Sequence, residues 1–129
     1  MYQYFNPNPV KRKGIGDCTV RAIAKALGIS WEAAYVDLVL QGYLLADMPS
    51  SNMTMDSYLH SKGFSRHVID NYCPDCYTIE EFAKDHPEGT YILGTGTHVV
   101  ALVNGNYFDS WNSGDETPIY YYKKETNPW

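Results

Sequence analysis

The stretch Gly16-Asp17-Cys18-Thr19-Val20-Arg21-Ala22-Ile23 places a thiol at the opening of a helical pattern. Val20, Ile23, Ala24 and Leu27 recur at i, i+3, i+4 and i+7 as one apolar stripe, and Cys18 is off that stripe. At a helix N-terminus the unpaired N–H groups and the helix dipole stabilise a thiolate. A nearby imidazolium adds to this, and cysteine pKa values in such settings fall from about 8.5 to roughly 3.5–7.5. A thiolate so placed is a nucleophile for carbonyl carbon. The alternative is a small residue that only packs.

A matching base is His98, at the start of the strand Thr97-His98-Val99-Val100-Ala101-Leu102-Val103. The following Asn104-Gly105 is the strongest two-residue hairpin signal in the chain, and a type I′ turn there makes Val103 face Asn106. His98 then faces Trp111 and Asp109 faces Val100. Because side chains alternate between faces, His98 and Asp109 become diagonal neighbours on one face, about 7–8 Å apart at the backbone and within side-chain reach. A three-residue loop would instead put them on opposite faces. His60, His67 and His86 sit in helix or loop contexts without an obvious polar partner. Without Cys18, a histidine bonded in a sheet for structural reasons would be the default reading of His98. Trp111, on the same face, either shields the His98–Asp109 pair from water or packs in the core.

Together, Gly-Asp-Cys18 opening a helix, the later Thr-His98-Val-Val-Ala-Leu strand and Asp109-Ser110-Trp111 resemble the papain-like cysteine peptidases in order and spacing. The His98 strand is most similar to that of the bacteriocin leader peptidases that cut after a double glycine, and Asp109-Ser110-Trp111 resembles the Asn-Ser-Trp of papain. Short stand-alone chains of this appearance are encoded by phages and gut bacteria. The resemblance covers about half of the chain, and residues 29 to 90 match nothing in detail.

This resemblance implies a cysteine peptidase or related amide-bond hydrolase acting on a peptide or protein without a cofactor. Cys18 would be the nucleophile, His98 the general acid/base and Asp109 the group that orients the imidazole. An Asn at 109 would still hold the imidazole N–H, so Asp109→Asn is expected to be the mildest loss. The glutamine these peptidases place six residues before the cysteine falls on Arg12 here. Asn6 and Asn8 are candidate amide donors to the oxyanion beside the Cys18 N–H, with turn chemistry as their other role. The alternative function is a catalytically inactive papain-like module that binds a peptide or partner protein.

Cys73-Pro74-Asp75-Cys76 has a spacing seen in zinc knuckles and redox pairs, but a second such pair is absent and Thr78 starts its helix too late for redox use. Structural thiols, a zinc site and a redox pair all remain open, with structural thiols favoured and no metal assigned. Gly14-Ile15-Gly16 and Gly94-Thr95-Gly96 lack the third glycine and the strand-to-helix context of a phosphate loop, and the latter is expected to be flexible.

The elements that must position these residues follow from spacing and turn chemistry. Helix one starts at Cys18 with Asp17 as N-cap and stops at Gly28. A second helix runs from Trp31 to about Gln41 behind Ser30 and closes at Gly42, and a third from about Met53 to Ser61 stops at Lys62-Gly63. Thr78-Ile79-Glu80-Glu81 is a capping box opening a fourth. Residues 90–93, 98–103, 107–111 and 118–123 read as strands of an antiparallel sheet. Helices before such a sheet imply an α+β, papain-like domain over residues 1–129, with the helices packed on one face.

Composition agrees with one globular core and excludes several classes. With 44% hydrophobic and 15% aromatic residues, the chain can bury enough surface to offset its ordering entropy. A net charge of −5, with Lys11-Arg12-Lys13 as the only basic run, argues against a nucleic-acid partner. The longest apolar run, Val99 to Val103, is far too short to span a membrane, and no signal peptide precedes it, so the expected compartment is the cytoplasm.

Overall fold

The computed structural model describes residues 1–71 and 76–125. Strand β1 (Tyr2–Tyr4) is followed by helices α1 (Cys18–Leu27), α2 (Trp31–Leu45) and α3 (Asn52–Ser61), strand β2 (Phe64–Val68) and helix α4 (Ile79–Asp85). Strands β3 (Thr90–Gly94), β4 (Val99–Val103), β5 (Asn106–Asp109) and β6 (Tyr120–Lys124) complete an α+β arrangement. All six strands join one sheet in the order β1-β5-β4-β3-β6-β2. Its pairings are antiparallel except β1 on β5.

The hairpin register is the one the Asn-Gly turn demands. Asn104 and Gly105 have φ of 49° and 80°, the positive pair of a type I′ turn, and Val103 pairs with Asn106, Leu102 with Tyr107 and Ala101 with Phe108. The edge strands β1 and β2 were not anticipated. In β2 only Phe64 is buried, so no alternation marks it, and β1 has only three residues.

Helix α1 ends as expected. Gly28 adopts φ 66°, and the Ile29 N–H closes back on the Ala24 carbonyl at 3.0 Å. Helix α2, in contrast, runs through Gly42 and ends at Ala46. A Cβ at Gly42 would lie 2.8 Å from the Asp47 carbonyl oxygen, so this glycine admits the backbone that follows the helix rather than stopping it. At α4, Thr78 Oγ1 accepts the Glu81 N–H at 3.2 Å, the expected half of a capping box.

The helices do not share one face of the sheet. Helices α1 to α3 cover a core that includes Ile23, Leu59, Ile92, Ala101 and Tyr122. On the opposite face, Ile79 and Phe82 of α4 pack on Leu93, Val100, Leu102 and Tyr107. Strand residues are apolar on both sides because both sides are covered. Each fully buried Ile, Leu or Phe adds about 1.5–3 kcal/mol over leaving it in water. No helix among the described residues is long and apolar enough to cross a membrane.

Candidate active site

Three chain segments converge at one end of the sheet: the first turn of α1, the residue before β4 and the last residue of β5. His98 is fixed from its backbone outward. The turn between β3 and β4 is hydrogen-bonded within itself, with the Thr95 N–H on the His98 carbonyl at 2.9 Å and the His98 N–H on Thr95 Oγ1 at 3.1 Å. Gly94 is required beneath it, since a Cβ there would lie 2.0 Å from the Tyr120 ring.

His98 Nε2 meets Asp109 Oδ2 at 2.5 Å. Asp109 is 2% exposed, and its other partners hold it in place: Ser113 Oγ donates to Oδ2 at 2.7 Å and the Ser110 N–H to Oδ1 at 2.8 Å. Its backbone is clamped by the N-terminal segment, where the Phe5 N–H donates to the Asp109 carbonyl at 2.8 Å. Burial alone would raise the Asp109 pKa, but the His98 and Ser113 hydrogen bonds and the His98 charge hold it below the usual 3.8.

With Nε2 engaged by Asp109, Nδ1 is the ring nitrogen left for Cys18, and the two side chains are close enough for each to shift the pKa of the other. Burial opposes ionisation of the thiol. The His98 hydrogen bond, the Val99 N–H and the charges of His98 and Arg21 outweigh it and lower the Cys18 pKa. For His98 the balance runs the other way: burial disfavours the imidazolium, but Asp109 and Cys18 raise its pKa to about 9. Both shifts favour the thiolate–imidazolium form of the pair over the neutral one.

Asp17 occupies the N-cap position but caps nothing with its side chain. Its carboxylate is drawn aside, where it accepts from Asn8 Nδ2 and Trp31 Nε1, each at 2.9 Å, and pairs with Arg21 Nη1. Burial is outweighed by these donors, so its pKa lies below 3.8. The N–H groups of the first turn of α1, at Cys18 itself, are left without a side-chain acceptor, as an oxyanion site requires.

Asn8 serves turn chemistry and also reaches the cleft. Its Oδ1 accepts the N–H groups of Val10 and Lys11, its Nδ2 donates to Asp17, and the residue is among those lining the cleft that contains Cys18. Asn6 does not line that cleft and instead accepts the Asn8 N–H at 3.3 Å. The cleft measures about 820 Å³ and is lined by Cys18 and His98 together with Trp31, Tyr35, Met48 and Tyr120. Trp111 belongs to neither core: it is 47% exposed and lies over His98 with ring centroids 5.1 Å apart.

Arg21 is the site residue that sequence reading missed. It lies in the buried face of α1 and joins Asp17 to Asp109, with Nη2 at 3.3 Å from Asp109 Oδ1. The available signal was a charged side chain four residues after Asp17, flanked by Ala22, Ile23 and Ala24.

The remaining histidines are occupied elsewhere: His60 on the Asp56 carbonyl, His67 on Ser65 and His86 on the Phe82 carbonyl. Cys18 is a free thiol, whereas Cys76 is disulfide-bonded and so is not a thiolate ligand for zinc. Cys73 lies outside the described residues. Among the described residues no group of three or more His, Cys, Asp or Glu is arranged to hold a metal ion. No family model, curated protein or solved structure gives a significant match to this chain.

Proposed function

We propose that the protein is a cysteine peptidase or related amide-bond hydrolase of papain-like arrangement, with Cys18, His98 and Asp109 as its catalytic residues. The observation that carries this reading is the single imidazole shared between the Cys18 thiol and the Asp109 carboxylate at the wall of an open cleft. A structural histidine does not need a nucleophile on its second nitrogen.

In the proposed reaction the Cys18 thiolate adds to the carbonyl carbon of a peptide bond lying in the cleft. The carbonyl oxygen becomes an oxyanion that the Cys18 N–H and the Asn8 amide stabilise. His98 gives its Nδ1 proton to the leaving nitrogen as the C–N bond breaks, which leaves a thioester on Cys18 and a neutral imidazole. Water then loses a proton to Nδ1 as it attacks the thioester carbon. Collapse releases the carboxylic acid and restores the thiolate beside the imidazolium. Asp109 remains ionised throughout, holding the ring proton on Nε2 and stabilising the charged ring.

The test is incubation of a mixed-sequence peptide library with the wild-type protein and with Cys18→Ala, with new termini read by mass spectrometry. Cleavage by the wild type alone supports the proposal. A peptide-binding module of the same fold would retain library members while leaving them uncut by either protein, and that result would overturn it.

A further inference from the structure

We infer that Arg21 is a positioning residue of this site: by bridging Asp17 and Asp109, it sets the rotation of the Asp109 carboxylate and through it the aim of the His98 ring. The inference rests on the hydrolase reading only for its purpose, since the geometry stands without it.

Arg21 is 8% exposed, and its guanidinium divides its donors between two carboxylates from different segments. Nη1 goes to Asp17, one residue before Cys18, and Nη2 goes to Asp109 Oδ1. The opposite oxygen, Oδ2, carries His98. A carboxylate pinned at Oδ1 by Arg21 and the Ser110 N–H cannot turn about its Cβ–Cγ bond, so Oδ2 stays in the line that holds Nε2–H and leaves Nδ1 to Cys18. Only a planar fork reaches both acids in this way, and an ammonium would serve one at a time.

Stability alone does not explain the arrangement. The Arg21 Nε is buried without a hydrogen-bond partner among the described residues, which costs free energy. Replacing every member of a buried ion network by apolar side chains is often neutral or stabilising, whereas removing Arg21 alone would leave Asp17 and Asp109 buried with fewer partners. What an all-apolar set would not supply is the link from the helix start to Asp109. That link also reaches the walls of the cleft, because Asn8 and Trp31 both donate to the Asp17 oxygen that Arg21 does not use.

The charges acting on the thiol come from His98, ahead of β4, and from Arg21 within α1, while Cys18 in turn acts on Tyr120 of β6. Losing the guanidinium removes one of the two cations without touching the other.

Two readouts on the whole chain test the inference: the pH dependence of Cys18 alkylation by iodoacetamide, and the downfield proton NMR signal of His98 Nε2–H. Arg21→Gln is expected to move the acid limb of alkylation up by roughly half a pH unit or more and to erase the downfield signal. Arg21→Lys is expected to return the limb close to its wild-type position, because the charge is kept, yet still to lose the signal, because the bridge is not. A folded Arg21→Gln protein with a wild-type limb and an intact signal would overturn the inference. If Arg21→Gln fails to fold, an intact signal in Arg21→Lys has the same force. Neither readout needs a substrate, so an absence of peptide cleavage would defeat the hydrolase reading while leaving these results legible.

Discussion

His98 Nε2 and Asp109 Oδ2 stand 2.5 Å apart although neither residue lies within the interior of its strand. His98 precedes β4 and Asp109 ends β5, so the two-residue turn at Asn104-Gly105 sets their meeting from the far end of the hairpin. One extra residue in that turn would reverse the facing of every pair above it. Inserting a glycine between Asn104 and Gly105 is therefore expected to abolish peptide cleavage, with circular dichroism reporting whether the sheet persists. Retained cleavage would mean that some other group orients His98.

Cys18→Ala is expected to remove cleavage by about a thousandfold or more while shifting stability by no more than about 1 kcal/mol. The thiol stands at the first turn of α1, beside rather than within the row of Ala22, Ile23 and Ala24. Parallel kinetics and thermal melts check both halves, and a folded, active Cys18→Ala protein would end the nucleophile assignment.

His98→Ala should lose about as much as Cys18→Ala, and the double variant little more than either, because nucleophile and base act as one unit. Additive losses would show that the two residues work separately.

Asp109→Asn is expected to be severe, about a thousandfold or more, which corrects the expectation of a mild effect. Both oxygens of Asp109 face donors: Ser110 N–H and Arg21 at Oδ1, His98 and Ser113 at Oδ2. An amino group at Oδ1 would meet two donors. At Oδ2 the Ser113 hydroxyl can turn to accept, but His98 Nε2 would have to accept as well. That moves the ring proton to Nδ1 and leaves no base facing Cys18. A loss below about tenfold would contradict this account of the tautomer.

The same charges set the pH dependence of stability. Asp17 and Asp109 have pKa values below 3.8 in the folded chain, so their contribution is present above that pH and is lost as pH falls through the lowered values. His98, raised from 6.5 to about 9, contributes fully below pH 6.5 and loses that contribution as pH rises through 9. Cys18, lowered from 9.0, changes in the opposite sense. Cys18 therefore offsets part of the His98 loss between pH 6.5 and 9, and wild-type stability should vary less across that window than His98 alone would require. In Cys18→Ala the compensation is gone, and the melting temperature should fall as pH rises through that window. A level profile in the variant would contradict the raised His98 pKa.

The parts of the site fixed by local chemistry were legible in the sequence. The Asn104-Gly105 turn set the register, and the apolar spacing after Cys18 set the helix start. What escaped was fixed by distant packing. Asp17 reads as a cap, yet Asn8, Trp31 and Arg21 draw its carboxylate away, and nothing local announces those partners. Nothing local to Arg21 announces Asp109 as its partner, 88 residues further along the chain. Gly42 has the composition of a helix stop and serves close approach instead. Helix α4 covers the second face because strands with apolar residues on both sides need two layers, a demand visible in Leu93, Val100 and Leu102 only once their facing is known.

The most direct test of the Cys18–His98 ion pair is the rate of Cys18 alkylation by iodoacetamide against pH, in the wild type and in His98→Ala. The account predicts a wild-type acid limb below the ordinary thiol range and a limb displaced upward towards that range when His98 is removed. A wild-type rate that climbs only through about pH 8.5, unchanged by loss of the imidazole, would contradict it.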